Sequence, residues 1–254
     1  MGKVQQGYKR NKNEPVNTYK SNVAGLCTTD DPIDSLEYHK LIAERGHIKA
    51  KVLPAFRPDR LINIEKTGFA DYVKALGNVC DRDIKNYDEL IDAVNERIDY
   101  FHNAGCRISD HALDGVPFNK DYNTDDVFTK KMNGESLSTD EINAFKCETL
   151  IRLAKKYSEL DWAMQLHIGA LRNNNSAMFK KLGADVGFDS IADYEIAADL
   201  SALLDAMECN GGIQRIIMCL QQCSVTSNQP KRREKCSSAR LGGLMTNVTE
   251  WLNK

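Results

Sequence analysis

The run from Trp162 to Asn175 carries the densest set of reactive groups in this chain. It opens as an apolar, strand-like segment and ends in a polar loop that contains Gly169. His167 supplies an imidazole able to ligate a metal or move a proton near neutral pH. Arg172 supplies a guanidinium able to clamp a carboxylate through two parallel hydrogen bonds. Asn173, Asn174 and Asn175 add amide donors and acceptors suited to sugar hydroxyls. Parallel α/β proteins deliver such groups where their strands end. The same run also reads as a helix N-terminus with a core histidine and a solvated arginine, and this segment alone leaves both readings open.

The elements that must position these groups alternate in type. Val23 to Thr29 reads as a strand and Asp34 to Arg45 as a helix ended by Gly46. Ile48 to Phe56 reads as the next strand. Asp88 to Ala104 places Leu90, Ile91, Val94, Ile98 and Phe101 on one helical face, and Gly105 stops it. Cys106 to Asp110 reads as a short strand. Ser138 and Glu141 have the spacing of a capping box, and the helix behind them carries Ile142, Phe145, Leu150 and Leu153. The Trp162 strand follows, then a helix over Ile191 to Glu208 and a strand over Ile213 to Leu220. Five strands alternating with helices predict a parallel sheet. That sheet is either part of an eight-stranded barrel or an open doubly wound sheet.

Composition narrows the function class. The chain has 254 residues, 42% of them hydrophobic, and a formal net charge of −2. That balance speaks against a whole-chain nucleic-acid or membrane role. No apolar run approaches a membrane span, and the first residues lack an apolar signal core, so a cytoplasmic protein is expected. Eight cysteines in that setting read as reduced thiols, with Cys27 and Cys106 as small core residues. Cys219, Cys223 and Cys236 lack the paired short spacings of a zinc ribbon. The segment from Gly183 to Gly187 lacks the spacing of a dinucleotide-binding loop.

The strand ends decide between the two sheet types. Cys27-Thr28-Thr29-Asp30-Asp31-Pro32 precedes Leu36-Glu37-Tyr38-His39, then Val52-Leu53-Pro54-Ala55-Phe56-Arg57-Pro58-Asp59 and Ser109-Asp110-His111-Ala112-Leu113-Asp114. Gln165 to Asn175 and Gly187-Phe188-Asp189-Ser190 complete the series. In this order and spacing, these motifs resemble the uronate (glucuronate) isomerases of the amidohydrolase superfamily, from about Asn17 to Leu220. The resemblance implies an α/β fold that is a partial (β/α)8 TIM barrel, about strands 2–6 with their helices. It implies aldose–ketose isomerisation of D-glucuronate to D-fructuronate, and of D-galacturonate to D-tagaturonate, through an enediol. It further implies that Asp110 and His167 are catalytic and that Arg57, Arg172 and Asn173 bind substrate. His111 is then a neighbour of the site or a packing residue. For Arg57 the competing structural role is a salt bridge with Asp59 or Asp30, and for Asp110 it is accepting local backbone N–H groups.

The resemblance also implies a divalent metal, zinc, in the complete enzyme, with His167 its one ligand present here. The family's His-x-His pair on the first strand has no counterpart among the five histidines, and its last strand with a Thr-Asp-Ser-Arg run is missing. The chain is therefore expected not to retain the metal and to be inactive alone. A truncated, non-catalytic relative that only binds sugar acids or another subunit is the alternative. The expected partners are a hexuronate and, in the complete enzyme, further copies of the subunit, with no nucleic acid and no membrane.

Residues 1–16 read as a poorly ordered leader, 17–220 as the domain, and 221–254 as a disordered tail. Shifting the reading frame by one base lets Lys235 to Trp251 decode as Val-Gln-Phe-Gly-Ser-Ala-Trp-Trp-Phe-Asn-Asp and onward, which resembles the family's seventh strand. The tail is thus expected to be an out-of-frame product, and its basic run Lys231-Arg232-Arg233-Glu234-Lys235 an accident of frame rather than a nucleic-acid signal.

Overall fold

A computed structural model describes residues 23–220, apart from 47, 184, 185, 193, 213 and 214. The expected leader (1–16) and the whole of the expected tail (221–254) lie outside these residues. Five parallel strands form the frame: β1 (Gly25–Cys27), β2 (Lys51–Leu53), β3 (Ile108–Leu113), β4 (Ala163–Ile168) and a last strand at Ile216–Leu220. β1 pairs with β2, β3 with β4, and β4 with the last strand, all in parallel. Phe56 joins the two groups, through parallel bridges to Asp30 on one side and Ser109 on the other. Each parallel strand therefore neighbours the next one in chain order.

β2 covers only Lys51–Leu53 of the predicted Ile48–Phe56, yet its backbone bonds to the β1 side continue past Pro54, with the Ala55 N–H donating to Thr28 O and the Arg57 N–H to Asp30 O. β3 begins at Ile108 rather than Cys106, because the Cys106 N–H donates back to Phe101 O at 3.0 Å and closes the preceding helix. Two further strands make a small antiparallel ribbon, β5 (Ala170–Leu171) and β6 (Ser190–Ile191). Adding the last parallel strand, β7 (Ile216–Leu220), makes seven among the described residues where five were predicted. Ile191 is thus a strand residue, and the helix predicted from it runs over Ala197–Cys209.

The helices follow their caps and apolar spacing. The helix at Tyr87–Asn103 is capped by the Asn86 side chain, which accepts from the Glu89 N–H, and buries the predicted Leu90, Ile91, Val94, Ile98 and Phe101. It ends at Gly105, where φ is +95° and a Cβ would meet Leu53 Cδ2 at 3.0 Å, so only glycine fits without strain. The helix at Thr139–Glu159 starts with the predicted capping box of Ser138 and Glu141. The helix at Glu37–Arg45 begins three residues later than predicted. Asp34 is spent on the preceding turn, where its carboxylate accepts the Asp31 N–H, and the buried Arg97 donates to Pro32 O and Asp34 O.

One layer of the core lies between the sheet and these helices. On β3, Ser109, His111 and Leu113 are buried while Ile108, Asp110 and Ala112 are half-buried. The alternation sends Asp110 to the opposite face from His111. Phe56 is fully buried and meets Phe101 edge-on at 5.0 Å, with Tyr157 and Trp162 at 6.2 Å. Cys106 is part of this core, and burial pushes its thiol up to about 12. Cys27 is exposed and is not a core residue.

Candidate active site

Arg57, Asp110 and His167 come together on one face of the parallel strands, Arg57 just past Phe56, Asp110 third of the six residues of β3 and His167 next to last in β4. Arg57 follows Phe56, whose ring is anchored in the aromatic core and whose backbone is bonded on both sides, so the next side chain leaves toward the other face. Its Nε donates to Asp59 Oδ2 at 2.6 Å and its Nη1 lies 3.2 Å from Asp110 Oδ2. The salt bridge with Asp59 weighed as the competing structural role for Arg57 is thus present, and the same guanidinium also reaches the Asp110 carboxylate. Asp59 is fixed in turn, since its Oδ1 accepts the Ala112 N–H at 3.0 Å. The competing role weighed for Asp110, accepting a local backbone N–H, falls to Asp59.

Asp110 is nearly buried, with its side chain 14% exposed. Its Oδ1 stands 3.0 Å from His167 Nε2, yet the approach lacks hydrogen-bond alignment and that oxygen has no hydrogen-bond partner. The Gln165 amide meets the same His167 nitrogen at 2.5 Å. The contacting atom is the Gln165 amide nitrogen, which can only donate, so His167 Nε2 is the acceptor in this contact. His167 and Arg57 remain about one third exposed, at 35% and 32%, so the cluster opens to solvent on one side.

Sequence reasoning missed two members of this face. Gln165 pairs with Asp110 and stands two residues before His167, so strand alternation alone places it there. Cys219 pairs with His167 across β7. Its thiol is raised first by burial and then by the Asp110 charge. Only the strand register reveals it.

The other expected residues lie elsewhere. Arg172 Nη1 donates to Asp189 Oδ2 at 3.1 Å and the Asn173 N–H to Asp189 Oδ1 at 2.9 Å. Both sit at the end of the antiparallel ribbon rather than on a parallel strand. His111 faces the helices: its Nε2 meets Ser109 Oγ at 3.0 Å and its ring lies 5.8 Å from Tyr157. Burial lowers it to about 4, against the pull of Asp59, so it is a neutral packing residue at neutral pH.

A hollow of about 180 Å³ touches the cluster at Asp59 and is also lined by Arg60, Asn63, Lys66 and Tyr72. Among the described residues, no group of three or more His, Cys, Asp or Glu is placed to hold a metal ion. The residues present do not fit the divalent metal that the family resemblance implies.

Comparison with known proteins finds uronate isomerases similar to this chain in sequence and in fold. A uronate isomerase of Caldanaerobacter subterraneus subsp. tengcongensis is 49% identical over 201 residues, covering 78% of this chain and 43% of that relative. One from Brachyspira hyodysenteriae is 50% identical over 204 residues, covering 78% and 44%. The chain thus spans less than half the length of these relatives. The crystal structure of uronate isomerase from Thermotoga maritima superposes with a TM-score of 0.72 at 35% identity, over 80% of this chain and 45% of that one. Glucuronate isomerase from Caulobacter crescentus shares the fold, with a TM-score of 0.70 at 24% identity, over 81% and 43%. The family model for glucuronate isomerase matches residues 3–229, which include every parallel strand and the whole Arg57–Asp110–His167 cluster, and the chain belongs to that family.

Proposed function

We propose that this chain is the portion of a uronate isomerase that carries its carboxylate clamp and part of its acid–base machinery, on a partial (β/α)8 barrel. The chain-order succession of five parallel strands supports the barrel reading, because a doubly wound sheet reverses its strand order at a switch point. The reaction interconverts a hexuronate aldose and its ketose. A proton leaves C2 and returns to C1 while the hydroxyl proton passes from O2 to O1, so nothing is oxidised or reduced overall.

The observation that carries this reading is the carboxylate of Asp110 shared between Arg57 and His167 on one face of neighbouring strands. In the proposal, Arg57 binds the uronate carboxylate, held in orientation by Asp59. Asp110 and His167 orient the C1 and C2 oxygens and hold the proton in transit. Arg172 and Asn173 shape the far wall of the sugar pocket. A divalent metal such as zinc would supply carbonyl polarisation in the complete enzyme, and the described residues do not hold it. The chain alone is accordingly proposed to bind hexuronates without turning them over. Assembly into homo-oligomers and a cytoplasmic, catabolic setting for the complete enzyme belong to the same proposal. No helix among the described residues is long and apolar enough to cross a membrane.

The test is calorimetric titration with D-glucuronate, D-galacturonate and D-glucose, beside a coupled turnover assay. The acids bind and glucose does not, and Arg57→Ala abolishes the difference. Equal binding of glucose, or acid binding indifferent to Arg57→Ala, overturns the reading.

A further inference from the structure

The helix at Glu37–Arg45 has no fully buried residue, yet one of its side chains reaches inward. His39 is 11% exposed and its Nε2 lies 2.7 Å from Thr28 Oγ1, at the end of β1. The same hydroxyl donates to Asp30 Oδ2 at 2.6 Å. A threonine hydroxyl has one proton. Donating it to Asp30, the oxygen must accept from His39, which places the ring proton on Nε2. His39 Nδ1 is buried with no hydrogen-bond partner.

This is not a nucleophilic triad, although it holds a hydroxyl, an imidazole and a carboxylate. In a triad the carboxylate orients the far ring nitrogen and the hydroxyl gives its proton to the near one. Here the carboxylate takes the hydroxyl proton and the far nitrogen has no partner, so the hydroxyl is not activated. What the cluster does instead is fix two backbone positions. The Thr28 N–H donates to Leu53 O and Thr28 O accepts from Ala55, while the Asp30 N–H donates to Ala55 O and Asp30 O accepts the Arg57 N–H at 2.9 Å. This ladder runs unbroken from the Thr28 hydroxyl cluster to the backbone of Arg57.

We propose that His39 is a positioning residue, which locks the rim end of β1 through Thr28 and Asp30 and thereby sets the backbone of Arg57. The link to substrate rests on the function proposed above, whereas the link to the Arg57 backbone does not. The test uses the whole chain and amide hydrogen exchange. His39→Leu speeds exchange at Ala55 and Arg57 by about tenfold while Met164 and Leu166 in β4 are unchanged. His39→Gln, whose amide can donate from nearly the same place, stays within about threefold of the parent. Nitrogen NMR of the unsubstituted chain shows the His39 proton on Nε2, a readout that survives even if the leucine variant fails to fold. Unchanged Arg57 exchange in His39→Leu, no rescue by glutamine, or a proton on Nδ1 overturns the proposal. Failure of the unsubstituted chain to bind glucuronate would sink the functional reading and leave these results to judge His39.

Discussion

Asp110 Oδ1 stands 3.0 Å from His167 Nε2, although the two are not ladder partners: Asp110 pairs with Gln165 and His167 with Ala112. The contact is diagonal across one face of β3 and β4, a distance long side chains can span. A one-residue slip of β4 would turn His167 toward the helices and put Leu166 in the cluster. The site thus depends on register, and register depends on the buried Met164, Leu166 and Ile168 on the opposite face of the same strand.

Asp110→Asn keeps the shape of the cluster and removes one negative charge beside Arg57. Asp59 still holds the guanidinium, so the fold survives. A uronate carboxylate then meets one fewer repelling charge, and glucuronate affinity rises by on the order of 1 kcal/mol. Calorimetric titration of both proteins reads this directly, and weaker binding by the variant would refute it.

Arg57→Lys retains the charge and loses the fork. An ammonium cannot reach Asp59 and Asp110 in the planar geometry that Nε and Nη1 adopt. The variant loses about 2 kcal/mol of glucuronate affinity, close to the loss from Arg57→Ala. A lysine variant that binds like the parent would mean that charge alone, without geometry, recruits the acid.

The sequence made the frame legible where local signals sufficed. The stripe from Leu90 to Phe101 and the Ser138–Glu141 box stand as read, and the five parallel strands lie where alternating apolar runs placed them. Phe69, Tyr72, Val73 and Leu76 carry an equally clear helical spacing that went unread, and they build a helix at Phe69–Val79. The β5–β6 ribbon was not legible, because each of its strands has only two residues and their pairing is set by chain-distant contacts. Within the site, family resemblance rather than pattern singled out Arg57 and Asp110. Cys219 could not be found without knowing that β7 pairs with β4.

His111 makes stability depend on pH in a defined window. Burial lowers its folded-state value from 6.5 to about 4. Between these two values the unfolded chain binds the proton and the folded chain does not. Stability therefore falls as pH drops from about 6.5 to 4, by up to about 3 kcal/mol, and this contribution levels off below. Urea unfolding at several pH values reads the slope. His111→Leu removes this part of it, whereas Glu141, held down from 4.5 to about 2 by Lys130 and the Ser138 backbone, contributes a loss that begins near pH 4.5 and runs to about pH 2. An identical slope in the leucine variant would assign the loss to other groups.

Phe56→Ala is the substitution expected to uncouple fold and site together. The ring is fully buried against Phe101, Tyr157 and Trp162, and its removal leaves a cavity among rigid aromatic neighbours that cannot close around it. Such truncations cost about 3–5 kcal/mol, a large part of the 5–15 kcal/mol roughly typical of a domain. The same residue bridges Asp30 to Ser109 through its backbone, so movement there reaches Arg57 one position on. Urea unfolding shows a lower midpoint, and Arg57 amide exchange rises by more than the global loss accounts for. Val79→Ala, at a side chain that is 43% exposed, leaves both unchanged. If Phe56→Ala lowers stability while Arg57 exchange follows only the global loss, the aromatic core holds the fold without holding the guanidinium.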